Sequence, residues 1–128
     1  MAIKGMGIDI IEISRLSRII SRYGGKFISR IYTPAEADFG SRANEARAAI
    51  YYAGRWAAKE AFYKALPADV QPLSSWLSVQ ILADGAGRPC IEVCDERLRA
   101  ALAGIGVSSV HLSITHERTH CAAVVIVE

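Results

Sequence analysis

No stretch of this chain approaches the ~18 to 20 consecutive apolar residues of a helical membrane span, so no membrane partner is expected. The N-terminus has Lys4 and a short apolar stretch cut by Asp9 and Glu12, without the apolar core or small-residue cleavage site of a secretory leader. Cysteine is scarce: Cys90, Cys94 and Cys121 are three in number and follow no framework spacing. Cys90 and Cys94, on one face of an expected strand, would stand about 13 Å apart, too far for a disulfide. Buried free thiols in a cytoplasmic protein are the expectation. A strong excess of one charge is also missing, and a net charge of +2 does not by itself imply nucleic acid, which is not expected as a partner. There is no internal repeat and no low-complexity segment.

The composition that remains, 52% hydrophobic and 22% charged, suits one globular domain over residues 1–128. Charge is unevenly spread. Residues 1–30 carry Lys4, Arg15, Arg18, Arg22, Lys26 and Arg30 against Asp9 and Glu12, a local basic surface suited to an acidic partner. Residues 5–11 read as a strand. Ser14 reads as the N-cap of a helix from Arg15 to Tyr23, closed by Gly24 and Gly25, with Leu16, Ile19, Ile20 and Tyr23 on its apolar face. Thr33-Pro34-Ala35-Glu36 is a helix start. The longest helix is expected from Asn44 to Leu66, stopped by Pro67. Strands follow at Trp76–Leu82 and Pro89–Cys94, joined by an Asp84–Gly87 turn. Asp95 caps a short helix ended by Gly104 and Gly106. Strands at Ser109–Thr115 and Ala122–Val127 complete the chain. The fold class is α+β: an antiparallel sheet packed on one long helix, with shorter helices around it.

One residue is out of place in this pattern. Asp9 interrupts an apolar strand, where an ionised carboxylate is costly unless it is paired or bound to a metal. The long helix holds the counterpart. Ile50, Gly54, Ala57, Ala58, Ala61 and Ala65 form a small-residue arc that another element can approach closely, with Glu60 and Lys64 at its edge and Arg55 and Lys59 pointing away. Read alone, Glu60 and Lys64 form an ordinary i, i+4 ion pair and Lys59 lies on a solvated face. Read together, Asp9 and Glu60 are two carboxylates brought to one partly buried site. They would repel unless one is protonated or a hard cation sits between them, and few carboxylates with retained waters and substrate phosphates is the Mg²⁺ pattern. His111, His116 and His120 do not have a spacing that converges on zinc.

GIDIIEISR, GRWAAKEAFYKAL and VHLSITHERTHCAAVVIVE, in this order, resemble the holo-[acyl-carrier-protein] synthases, small 4′-phosphopantetheinyl transferases, across essentially the whole chain. The resemblance implies transfer of 4′-phosphopantetheine from coenzyme A to a serine of apo-acyl carrier protein, in support of fatty-acid synthesis. It implies Mg²⁺ held by Asp9 and Glu60, with Glu60 as the candidate base and Lys64 stabilising charge on the pyrophosphate. It implies coenzyme A contacts from Arg55, Lys64, the Gly87-Arg88-Pro89 turn and His116. It also implies carrier-protein contacts from Arg15, Arg22 and Phe27, and a homotrimer. Arg88 stands where the family has lysine, and Leu66–Pro72 replaces its glycine-rich turn. The competing reading is a non-catalytic module that binds carrier protein or coenzyme A, for which the trio Asp9, Glu60 and Lys64 would be unnecessary.

Overall fold

A computed structural model describes residues 2–128. The N-terminal strand β1 (Gly5–Glu12) has its faces opposite to those of a buried isoleucine run. Met6, Ile8 and Ile10 are each 67% exposed, while Gly7 and Ile11 are buried and Asp9 is half-buried on the same inward side. The reason lies in what covers that side. A Cβ added at Gly7 would come within 2.0 Å of the Ala61 carbonyl oxygen, and one at Gly5 within 1.9 Å of that of Ala65. The strand therefore lies against the long helix backbone to backbone, and only glycine permits it.

That helix, α4 (Glu45–Ala65), begins at Asn44, whose side chain accepts from the Arg47 amide at 2.9 Å, and stops at Leu66 before Pro67. It crosses a three-stranded antiparallel sheet in the order β1-β5-β4, with β4 at Val110–His116 and β5 at His120–Val127. Cys121, Ala123, Val125 and Val127 of β5 are buried. Asp9 pairs with Ala123 in the β1–β5 register. A separate two-stranded ribbon, β2 (Val79–Ala83) and β3 (Pro89–Val93), is closed by the Asp84 turn, whose Oδ1 accepts from the Ala86 and Arg88 amides.

The remaining helices are α1 (Ile13–Tyr23), α2 (Gly25–Ile31), α3 (Pro34–Ser41) and α5 (Glu96–Gly104). Thr33 and Glu36 form the reciprocal capping box of α3, and Asp95 caps α5 through the Leu98 amide. Several expectations need correction. Ser14 is inside α1, not its cap; its hydroxyl donates to Glu12 at 2.8 Å. Tyr23 lies outside the core at 54% exposure. Gly24, with φ 57°, ends α1, but Gly25 starts α2. Trp76–Ser78 is a 3₁₀ turn rather than strand, because Ser78 Oγ caps the Ser75 amide. Of the thiols only Cys121 is buried; Cys90 and Cys94 are exposed and free. Among the described residues no helix is long and apolar enough to cross a membrane.

The β1–α4 contact yields a test. Gly7→Ala should destabilise the protein by about 1–3 kcal/mol or more in urea unfolding, because the added methyl meets backbone that cannot turn aside. A loss within ~0.5 kcal/mol, the range of an ordinary surface substitution, would show that the approach tolerates a side chain.

Candidate active site

Alternation along β1 places Asp9 on the same face as Gly7, so the carboxylate projects toward α4. Lys64, from the last turn of that helix, reaches back to it: its Nζ donates to Asp9 Oδ1 at 3.0 Å and to the Ile8 carbonyl at 3.2 Å. The lysine is thus paired with the strand, not with Glu60 one turn earlier. Its side chain is about half exposed and that of Asp9 largely covered, at 49% and 14% respectively. An ammonium has three N–H donors, and these two bonds leave one for a ligand.

Glu60 is half-buried beside this pair. Burial holds its carboxyl above the usual carboxylate range, the charge of Asp9 adds to the shift, and Lys64 opposes it. Structure thereby joins the three residues that sequence reasoning linked across some fifty positions. Among the described residues no group of three or more His, Cys, Asp or Glu converges. The anionic donors at this site are Asp9 and Glu60.

Lys59 is the clearest departure from expectation. It is not on a solvated face but 3% exposed, with Nζ 2.8 Å from Glu36 Oε1. Nζ also reaches the carbonyls of Ile31 and Trp76 at 2.8 Å and of Val79 at 3.0 Å. Glu36, fully buried, spends its other oxygen on the Ile81 amide at 2.8 Å. The helical wheel failed here because α4 is covered on two sides, by the sheet and by α3 with β2. Burial lowers the Lys59 pKa while the Glu36 carboxylate works against the shift. Glu36 was visible in the sequence only as the carboxylate in the first turn of a helix.

The other expected residues lie on α4, on the β2–β3 turn, at the end of β4 and on α1 and α2. Arg55 lies on α4 with its guanidinium 4.3 Å over the Tyr51 ring, and its buried Nε has no hydrogen-bond partner among the described residues. Gly87 and Arg88 are exposed on the β2–β3 turn with half-buried Pro89 beside them, and His116 is exposed at the end of β4. No hydrogen bond or ion pair among the described residues joins these side chains to Asp9 or Glu60 within the single chain. Arg15 and Arg22 are exposed on α1, and Arg18 lies 3.8 Å from Glu12. Phe27 stacks on Trp56, which stacks in turn on Trp76, at centroid distances of 5.9 and 4.4 Å.

Residues 5–125 match the family model described as the 4′-phosphopantetheinyl transferase superfamily. A holo-[acyl-carrier-protein] synthase of Solidesulfovibrio magneticus is 39% identical over 98% of both chains. The chain is also similar to the crystal structure of holo-[acyl-carrier-protein] synthase from Neisseria meningitidis, with a TM-score of 0.84, 31% identity and 99% of each chain covered. The Bacillus anthracis enzyme, in complex with CoA (3′,5′-ADP), superposes with a TM-score of 0.79 at 32% identity over 98% of this chain and 96% of that one.

The raised Glu60 carboxyl generates a pH prediction. A group whose folded pKa lies above its unfolded value contributes stability below the unfolded pKa and loses it as pH rises through the folded one. In chelator-treated protein, Glu60→Gln should therefore gain stability relative to wild type as pH rises from about 4, the ordinary glutamate range, toward neutrality. Thermal unfolding at both ends of that window checks this; a difference independent of pH would show that the Glu60 carboxyl is not raised in the folded protein.

Proposed function

The chain belongs to the 4′-phosphopantetheinyl transferase superfamily, and we propose that it transfers 4′-phosphopantetheine from coenzyme A to a serine hydroxyl of apo-acyl carrier protein. The observation that carries this reading is the meeting of Asp9, Glu60 and Lys64 between β1 and α4, in a chain that matches holo-[acyl-carrier-protein] synthases along nearly its full length. In the reaction the serine oxygen forms a bond to the phosphorus that carries the pantetheine arm. The bond to the bridging pyrophosphate oxygen breaks, and adenosine 3′,5′-bisphosphate leaves.

Glu60 accepts the serine proton, a role suited to a carboxylate whose proton affinity is raised by burial. Lys64 offers its remaining N–H to the phosphoryl oxygens, where charge grows as the bond breaks. The pair Asp9 and Glu60 fits a divalent cation, since their mutual repulsion is what such an ion relieves, and two carboxylates with phosphates and waters suit Mg²⁺. Bound there, Mg²⁺ would neutralise charge on the pyrophosphate. Arg55, with its unpartnered buried Nε, and the exposed Arg88 turn and His116 are assigned to coenzyme A.

Two surfaces support the remaining partners. Met6, Ile8 and Ile10 lie across from Ile126, Val124 and Ala122 on the outer face of the sheet, an apolar face suited to a homotrimer. Arg15 and Arg22, with Phe27 nearby, offer exposed positive charge to an acidic carrier protein. The free thiols suit a cytoplasmic setting.

Mixing the protein with apo-acyl carrier protein, coenzyme A and Mg²⁺ should add ~340 Da to the carrier protein, the mass of the transferred group. Lys64→Ala should lower kcat by ~10² or more, comparable to losing one preorganised donor. Binding of coenzyme A without mass gain would leave the non-catalytic module as the reading.

The surfaces are tested separately. Arg15→Glu should raise KM for carrier protein with little change for coenzyme A, and salt should mimic it because exposed charges are screened over ~8 Å. Equal damage to both substrates would count against docking on α1. Ile8→Lys should reduce the molar mass measured by light scattering; an unchanged mass, or a monomeric wild type, would rule out assembly through this face.

A further inference from the structure

The two lysines of α4 differ in how firmly their charge is held. Lys59 is sealed, its side chain 1% exposed, with Glu36 and three carbonyls around the ammonium. Lys64 has two acceptors, Asp9 Oδ1 at 3.0 Å and the Ile8 carbonyl at 3.2 Å, and its side chain is half exposed. Asp9 is the reverse. Its carboxylate is largely covered, and Lys64 is its one ion-pair partner among the described residues. No hydrogen bond or ion pair among the described residues joins Glu60 to either of them.

This arrangement sets two cations against each other. Asp9 is one of the two acids that fit Mg²⁺, and it already carries an ammonium. Whichever of its oxygens a divalent cation takes, that cation and the ammonium then share one carboxylate, where like charges repel. Salt screens the repulsion little, because the Asp9 carboxylate is largely covered. The lysine is the group able to give way. It stands in the last turn of α4 on a flexible four-carbon stem, whereas Asp9 is fixed on β1 by its pairing with Ala123. Being half exposed, the Lys64 ammonium can be rehydrated when it leaves. Lys59 could not do the same, since its departure would leave the Glu36 charge unpaired in a dry site.

Resting on the reading of Asp9 and Glu60 as metal ligands of a transferase, we propose that Lys64 and the divalent cation are antagonists at Asp9. The ammonium is a tethered counter-ion that must release the carboxylate before the metal can take it. The antagonism is reciprocal, as any coupling between two binding events is: the lysine weakens the metal, and the metal loosens the lysine. Its consequence is an order of events. Held at Asp9 and Ile8, the ammonium has one N–H left; released, it has all three for phosphoryl oxygens. Asp9 thereby ties the availability of the lysine to the presence of the metal.

The test needs no turnover. Mn²⁺, a paramagnetic probe that takes oxygen ligands as Mg²⁺ does, is titrated into chelator-treated, dialysed protein without coenzyme A, and free Mn²⁺ is read by electron paramagnetic resonance. Lys64→Gln should bind Mn²⁺ about tenfold tighter than wild type, equivalent to ~1.4 kcal/mol. Lys64→Arg keeps the charge and should not. A lysine that merely oriented Asp9 would give the opposite sign, so equal or weaker binding by Lys64→Gln overturns the antagonism alone. A second measurement uses wild type: the ¹⁵N resonance of the Lys64 ammonium should move on saturation with diamagnetic Mg²⁺. An unmoved resonance would overturn the release. Wild type that binds no Mn²⁺ would overturn the metal assignment of Asp9 and Glu60 and this inference with it.

Discussion

The arrangement depends on how closely β1 can lie on α4. Gly5 and Gly7 on the strand meet the carbonyls of Ala65 and Ala61 on the helix, with no side chain between the two backbones. Asp9 is the next residue on that strand face, and Glu60 precedes Ala61. The steric requirement of the glycines thus sets the separation of the carboxylates. Were the strand held off by ordinary side chains, Lys64 could not reach both the Asp9 carboxylate and the Ile8 carbonyl. The apolar contact and the polar site are two consequences of one approach.

Two ion pairs on the same helix are built to opposite ends. Lys59 and Glu36 are sealed from water, and every oxygen and the ammonium are matched by protein groups. Their burial is tolerable only because the geometry is complete; removing one partner of such a pair typically costs about 3–5 kcal/mol. Together they join α2, α3, α4 and β2 around one ammonium. Lys64 and Asp9 are incomplete by comparison: the lysine is half exposed, and the adjoining Glu60 has a proton affinity raised by burial first and by the charge of Asp9 second. The satisfied pair holds the scaffold, and the unsatisfied group lies at the edge of the β1–α4 contact.

The outward face of β1 adds a third constraint. An exposed run of Met6, Ile8 and Ile10 is what a monomer avoids, and alternation forces it once Asp9 must face the helix. Placing the acid inside turns the isoleucines outside. The position of the acid and the apolar outer face of the strand are coupled by the strand's period of two: the inward turn of Asp9 decides which side chains the sheet exposes.

Much of this was legible in the sequence because it is local. The helix start at Thr33–Glu36, the beginning of the long helix near Asn44, its stop at Pro67, the Asp84 turn and the Asp95 cap are each written within a few residues and found where expected. Asp9 declared itself by interrupting an apolar strand, and Glu60 and Lys64 by standing beside a small-residue arc. What the sequence did not determine was which partner each charge takes. Lys64 chose Asp9 over Glu60, and Lys59, solvated on any helical wheel, was drawn inside by Glu36 and three distant carbonyls. A wheel knows one helix and assumes one covered side. Only tertiary packing, which covered α4 from two directions, decided which of its lysines would be buried in the fold and which would stay half exposed beside Asp9.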